Sequence, residues 1–245
     1  MIPLRDNAAP RRLTPINTAL IAANVAVFVY ELSLGARVTA FLGRFAMVPA
    51  AVTRALSRNA LAWHELAAHR SIGVLAPLMT TVTSMFIHGG IWHVAGNMLY
   101  LFIFGAAVEY RMGAWRYIIF YLAAGIAAAL ATVWIAPESS VPVIGASGAI
   151  AGVLGAYFIL YPRGRILTLV PIFIFVQFVE IPAVIYLLFW FGVQLYAGLE
   201  QGGRAAMGGV AWWAHVGGFM FGVALGPMLA MNRPRGRRSR QAIEH

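Results

Sequence analysis

The interval Trp115–Ile135 constrains this chain most: apart from Arg116 at its edge it is uncharged and almost wholly apolar. A helix of that length matches the hydrocarbon thickness of a bilayer, which takes about 20 apolar residues to cross. It has no charged face with which to meet water, and it is not alone. Ile16–Leu34 and Ile91–Val108 read as further spans, Ser147–Tyr161 as a short one, and Ile181–Gly198 and Val210–Met231 complete a set of six. Backbone amides in lipid must bond within their own segment, so the chain is predicted to be an all-α polytopic membrane protein, a six-helix bundle. Composition agrees. Of 245 residues, 61% are hydrophobic and 11% charged, against about a quarter charged in an ordinary soluble domain. The absence of Cys excludes disulfides and thiolate chemistry.

The polar segments set the organisation. Residues 35–79 form a long first loop punctuated by Arg37, Arg44, Arg54, Arg58 and Arg70. Its amphipathic pieces, Thr39–Met47 and Ala51–Leu61, are too short to span and suit the membrane surface. Leu167–Val179 carries Pro171 and Gln177 and reads as a loop or hairpin at the interface. Glu180-Ile181-Pro182 reads as a helix start, because an acidic residue and Pro both suit a first turn. Residues 1–15 are a polar tail without the apolar core of a secretory leader, so the first span reads as a retained anchor. Residues 16–231 form the membrane domain, and 232–245 a polybasic tail suited to anionic headgroups.

The net charge of +10 comes with 18 basic residues, all Arg. They lie in the tails and between apolar runs rather than on one face, which speaks for topology signalling and against nucleic acid. With both termini cytoplasmic, twelve Arg fall inside and six outside, five of those in the first loop. Ser147 and His215 then begin their helices near the outer face. An Arg-only, Ala-rich chain fits a GC-rich bacterial genome, and hence the inner membrane.

The chemistry is concentrated in Val143–Tyr157, VIGASGAIAGVLGAY. Ser147 sits at the mouth of this apolar helix, after Gly145, where a sharp turn is possible. Gly148, Gly152 and Gly155 alternate with alanines, so much of the helix surface is bare backbone, the small-xxx-small pattern of close membrane packing. Ala214-His215-Val216-Gly217-Gly218 opens a second such helix, continued by Gly222 and Gly226. Packing the two faces together would join Ser147 to His215. Asp6 is the only Asp and lies in the tail; Glu109 and Glu180 fall at the opposite membrane face, Glu138 and Glu200 in outer loops. What remains is a Ser–His dyad in which His215 takes the Ser147 proton. Alternatively, Ser147 is simply a hydrogen-bonding serine in a helix interface.

Within Met85–Leu101, His93 and Asn97 are four apart and share a helix face. Both donate hydrogen bonds, as stabilisation of a tetrahedral oxyanion requires; the alternative for His93 is an interface histidine bonded to a loop carbonyl. His88 and His93 are spaced wrongly for one face, and no HExxH occurs, so neither a metal nor a cofactor is expected. GASGA also departs from GxSxG, since position 149 is Ala.

Together, the six spans, the long first loop, His93-x-x-x-Asn97, GASGA at Ser147 and AHVGG at His215 resemble the rhomboid intramembrane serine proteases. The resemblance runs from the first span to Gly222. It implies Ser147 as nucleophile, His215 as general base, and His93 and Asn97 with the Ser147 N–H as the oxyanion hole. It implies a structural role for His88, helix-packing roles for Gly148, Gly152, Gly218 and Gly222, and an ion pair in Glu109-Tyr110-Arg111. Single-span or polytopic membrane proteins would be the substrates, with the bilayer as surroundings and the aromatic fifth helix (Tyr186, Phe189, Trp190, Phe191) facing lipid or a substrate gate. One departure is Leu78-Met79-Thr80-Thr81, where many members carry Trp-Arg; the nearest Trp of the loop is Trp63. The competing classes are a catalytically silent, client-binding relative, which would tolerate loss of Ser147 or His215, and a transporter, which would need charges along an intramembrane path.

Overall fold

The computed structural model describes residues 1–8, 14–57, 75–172, 175–200 and 211–230. The basic tail, Trp63 and the end of the Ala51–Leu61 piece lie outside them. Nine helices follow among the described residues. They are α1 (Pro15–Ser33), α2 (Val38–Phe45), α3 (Pro49–Ser57), α4 (Leu75–Thr83), α5 (Ile91–Met112), α6 (Ala114–Ile135), α7 (Ser147–Leu160), α8 (Ala183–Glu200) and α9 (Trp212–Leu229). Four of them, α1, α5, α6 and α8, are long and apolar enough to cross a membrane. The predominantly helical, multi-span class therefore holds.

Helix α7 is the axis of the bundle. Gly148–Tyr157 is buried without a break, as expected of a helix apolar on every side. It packs chiefly against α9 and α6, and its small residues let both backbones come close. A Cβ on Gly222 would collide with the Gly152 carbonyl oxygen, one on Gly218 with the Gly148 oxygen, and one on Gly155 with the Phe219 oxygen. Larger side chains fill the far end: Phe104 meets Tyr157 edge-on at 5.0 Å, with Tyr117, Phe120 and Tyr121 fully buried nearby.

Helix α5 contains a π-helical turn at Leu101–Gly105. Such a turn disturbs the regular ladder of backbone bonds, and the Leu101 carbonyl here accepts Asn17 Nδ2–H at 3.0 Å. Asn17 Oδ1 in turn accepts the Tyr117 hydroxyl at 2.8 Å, so a buried polar residue on α1 has its amide bonded at both ends. The expected Glu109–Arg111 ion pair does not form. The Glu109 carboxylate instead accepts the N–H groups of Ile16 and Asn17, at 3.2 and 2.7 Å, satisfying donors that the first turn of α1 leaves open. Arg111 lies over the Tyr161 ring, 5.7 Å from its centroid.

One addition to the helical class is a three-stranded antiparallel sheet, in the order β1 (Ile2–Asp6), β2 (Arg165–Ile172) and β3 (Phe175–Pro182). The segment read as a loop or hairpin is thus a hairpin, longer than expected, and the N-terminal tail supplies its third strand. Ile166 and Thr168 alternate inward on β2 and are fully buried. The sheet corrects the reading of Glu180 as a helix start. Glu180 pairs with Leu167 inside β3, and α8 begins at Ala183 with no acidic residue in its first turn. Because β1 bonds to β2, the N-terminal strand and the α7–α8 connection share one end of the bundle. The first loop is stitched to the other end: Met47 and Val143 exchange backbone bonds at 3.1 and 2.7 Å, and the Ala50 N–H reaches the Ser139 carbonyl.

Candidate active site

Ser147 is the first residue of α7 and half-buried. The turn before it depends on Gly145, whose φ of 117° is one that side chains rarely adopt; its N–H bonds the Ser84 carbonyl at 2.9 Å. The first intrahelical bond of α7 is Ile150 N–H to the Ala146 carbonyl, and no side chain caps the helix. The N–H of Ser147 therefore has no acceptor within the helix.

His215 lies in the first turn of α9, buried. Its Nε2 is 2.7 Å from Ser147 Oγ. The glycine seam explains the proximity: with α7 and α9 in backbone contact at Gly148/Gly218 and Gly152/Gly222, side chains at the adjoining helix starts must meet. The imidazole is flanked by Trp190, at 5.9 Å between centroids, and by Trp212, edge-on at 6.3 Å. Its Nδ1 lies 2.7 Å from Gln194 Oε1.

His93 and Asn97 lie on α5 and both face Gly145. A Cβ built there would lie 2.7 Å from His93 Nε2 and 3.7 Å from Asn97 Nδ2. His93 Nδ1 accepts the Gly89 N–H at 3.4 Å, which leaves Nε2 as the protonated nitrogen of a neutral ring. Asn97 Nδ2 is buried without a hydrogen-bond partner. Two side-chain donors thus converge beside the Ser147 turn, one of them unsatisfied, as a site awaiting an acceptor would have it. His88 is buried in the turn before α5, its ring 5.1 Å from that of His93, and its backbone N–H reaches the Glu31 carboxylate at 3.3 Å. Burial, reinforced by His93, pushes the His88 imidazole down to about 4. Among the described residues no group of three or more His, Cys, Asp or Glu is placed to hold a metal ion.

On α8, Tyr186 turns inward and shares a 2.7 Å hydrogen bond with Tyr100, while Trp190 and Phe191 pack on Phe219. Phe189 faces outward. The residue that sequence reasoning passed over is Gln194. A single amide in an otherwise apolar span was the available signal, since such a group requires a partner in lipid.

The architecture is that of a helical membrane protein with a serine and a histidine joined at the start of a short central helix. Comparisons with known proteins agree. The profile described as Rhomboid domain matches residues 76–232. Rhomboid protein 1, mitochondrial, of Saccharomyces cerevisiae is 31% identical over 170 residues, 67% of this chain and 46% of that protein. Rhomboid protease GluP of Bacillus subtilis is 45% identical over 75 residues, 31% of this chain and 14% of that protein. RHOMBOID-like protein 1 of Arabidopsis thaliana is 27% identical over 217 residues, 85% of this chain and 51% of that protein. The chain thus spans about half or less of each relative's length. It belongs to the rhomboid family and is an integral membrane protein.

Proposed function

We propose that this chain is an intramembrane serine endopeptidase that cuts transmembrane-helix substrates. The observation that carries the reading is the 2.7 Å contact between His215 Nε2 and Ser147 Oγ. In this mechanism Oγ attacks the scissile carbonyl carbon as its proton passes to Nε2. The carbonyl oxygen becomes an oxyanion held by His93 Nε2–H, Asn97 Nδ2–H and the Ser147 N–H. His215 then gives its proton to the leaving amine, and a water repeats the sequence on the acyl-enzyme to release the acid.

Helix α7 supports the reading through its length. At 14 residues it is about 21 Å long, short of the roughly 30 Å hydrocarbon layer, so Ser147 at its start is recessed and within reach of water from one face. A substrate helix has to unwind locally to offer its carbonyl, which small or helix-breaking residues would ease. With α7 and α9 completing six spans, both termini lie in the cytoplasm of a bacterium and Ser147 near the outer face of the inner membrane; the shared sheet of β1 and β2 fits that arrangement. The name of the Bacillus subtilis relative, a rhomboid protease, fits the activity.

The test is cleavage of a single-span reporter by the purified chain in liposomes, with chelator present. Wild type is expected to cleave, and Ser147→Ala and His215→Ala to be silent though folded. Cleavage surviving Ser147→Ala would remove the nucleophile assignment. Failure of folded wild type on several reporters would replace the protease by a client-binding member of the family.

A further inference from the structure

The hydrogen bond on the far side of His215 has no role in a two-residue mechanism, yet both partners are buried. Gln194 is 6% exposed, His215 9%, and Gln194 Oε1 lies 2.7 Å from Nδ1. Among the described residues no carboxylate bonds to His215. Asp6 accepts from the Tyr157 hydroxyl, Glu31 from the His88 N–H and Glu109 from the start of α1, while Glu138, Glu180 and Glu200 are exposed.

A neutral imidazole carries one proton on two nitrogens, and the partner of one nitrogen fixes the state of the other. With the amide oxygen towards Nδ1, that nitrogen is the N–H, and Nε2 presents a lone pair to the Ser147 hydroxyl. Turned over, the amide would donate to Nδ1 and leave Nε2–H pointing at Oγ, a ring unable to accept the proton. Trp190 and Trp212 confine the ring through its faces and edge but offer no acceptor for Nδ1–H.

We propose that Gln194 is a positioning residue for His215: its amide oxygen holds the Nδ1–H tautomer and so keeps Nε2 available to Ser147. This rests on the protease reading and deepens it. Gln194 belongs to α8, whose opposite face exposes Ile185, Leu188, Phe189 and Val193. The tautomer of the base therefore depends on how α8 is seated.

The experiment uses the full chain in detergent, as wild type, Gln194→Met (similar length and volume, no amide acceptor) and Gln194→Glu (acceptor kept). Nitrogen-15 NMR of labelled histidine reads the His215 tautomer, and reporter cleavage reads kcat and KM separately. Wild type is expected to show Nδ1–H. Gln194→Met is expected to show mixed tautomers and a kcat about 10- to 100-fold lower at unchanged KM, the scale of one hydrogen bond to a charged ring. Gln194→Glu is expected to keep the Nδ1–H tautomer and recover most of the rate. A Met variant with the wild-type tautomer and kcat would overturn the proposal. So would equal losses in both variants with the tautomer unchanged, the mark of a merely structural residue. If wild type cleaves nothing, the protease reading fails, and the tautomer spectrum still decides the role of Gln194.

Discussion

Gly222→Ala tests the geometry on which everything else depends. The added Cβ would overlap the Gly152 carbonyl oxygen and lie 2.8 Å from the Gly152 carbonyl carbon and 2.9 Å from the Ala156 nitrogen. All three are backbone atoms, so no rotamer change relieves the overlap and α7 and α9 must part. A separation of about 0.5–1 Å forfeits a quarter to a half of the dispersion attraction along the seam, and overpacking of this kind costs about 1–3 kcal/mol. For a chain of this size that corresponds to a thermal midpoint roughly 2–12 °C lower. The same displacement would lengthen the 2.7 Å Ser147–His215 contact to about 3.2–3.7 Å, from the long edge of hydrogen bonding to past it, so activity should fall further than stability does. The control is Gly96→Ala on α5, where a Cβ meets nothing within 4 Å and helix propensity alone favours Ala by up to about 1 kcal/mol. Thermal unfolding in detergent, read by circular dichroism beside reporter cleavage, checks both. A Gly222→Ala protein as stable and active as wild type would refute the contact between these backbones.

Two further outcomes follow from the site. Asn97→Ala removes a buried donor that has no competing partner, and kcat should drop about 10²–10³-fold with the fold retained; an unchanged kcat would remove Asn97 from the oxyanion hole. His88 binds its proton at about 4 when folded and near 6.5 when unfolded. Between those values the unfolded chain holds more protons, so stability should fall as pH drops from about 6.5 to 4, by at most about 3 kcal/mol, and level off below. His88→Leu should flatten that part of the profile of thermal midpoint against pH, and an unaltered profile would assign the loss to another group.

The apolar helices were legible because lipid leaves few choices: α6 begins one residue before the expected Trp115 and ends on the expected Ile135, and α7 starts at Ser147 as read, while four helices among the described residues, not six, are long and apolar enough to cross. The Ser147–His215 proximity was legible because glycines at four-residue spacing announce which faces meet. What stayed hidden depended on partners distant in sequence. Nothing in Ile2–Asp6 says that it will pair with Leu169–Ile166, since strand pairing is a property of two segments. Glu180 and Pro182 look like a helix start locally, but the ladder from Arg165 to Ile172 holds them in a strand. Glu109 was assigned to the nearest arginine, when its partners are amides at the start of α1. Gln194 was visible as the one amide of its span, but its partner could not be read without knowing that its face of α8 turns towards His215.

The three parts of the site are held in different ways, and the difference bears on how a substrate reaches it. Ser147 and His215 are held relative to each other by backbone contact between α7 and α9, which small residues at the seam permit. Gln194 is held through α8, whose first residue bonds by its N–H to the Gly164 carbonyl at 2.9 Å, and through side chains: the Tyr100–Tyr186 hydroxyl pair, the ring contacts of Trp190 and Phe191, and its own bond to His215. Moving α8 aside breaks these side-chain contacts and leaves the α7–α9 seam intact. Moving α9 would separate two backbones along several turns. If the proposed substrates, transmembrane helices, enter from lipid, an opening past α8 disturbs less backbone packing than one past α9. On the proposed role of Gln194, displacing α8 would also take its amide away from His215 Nδ1.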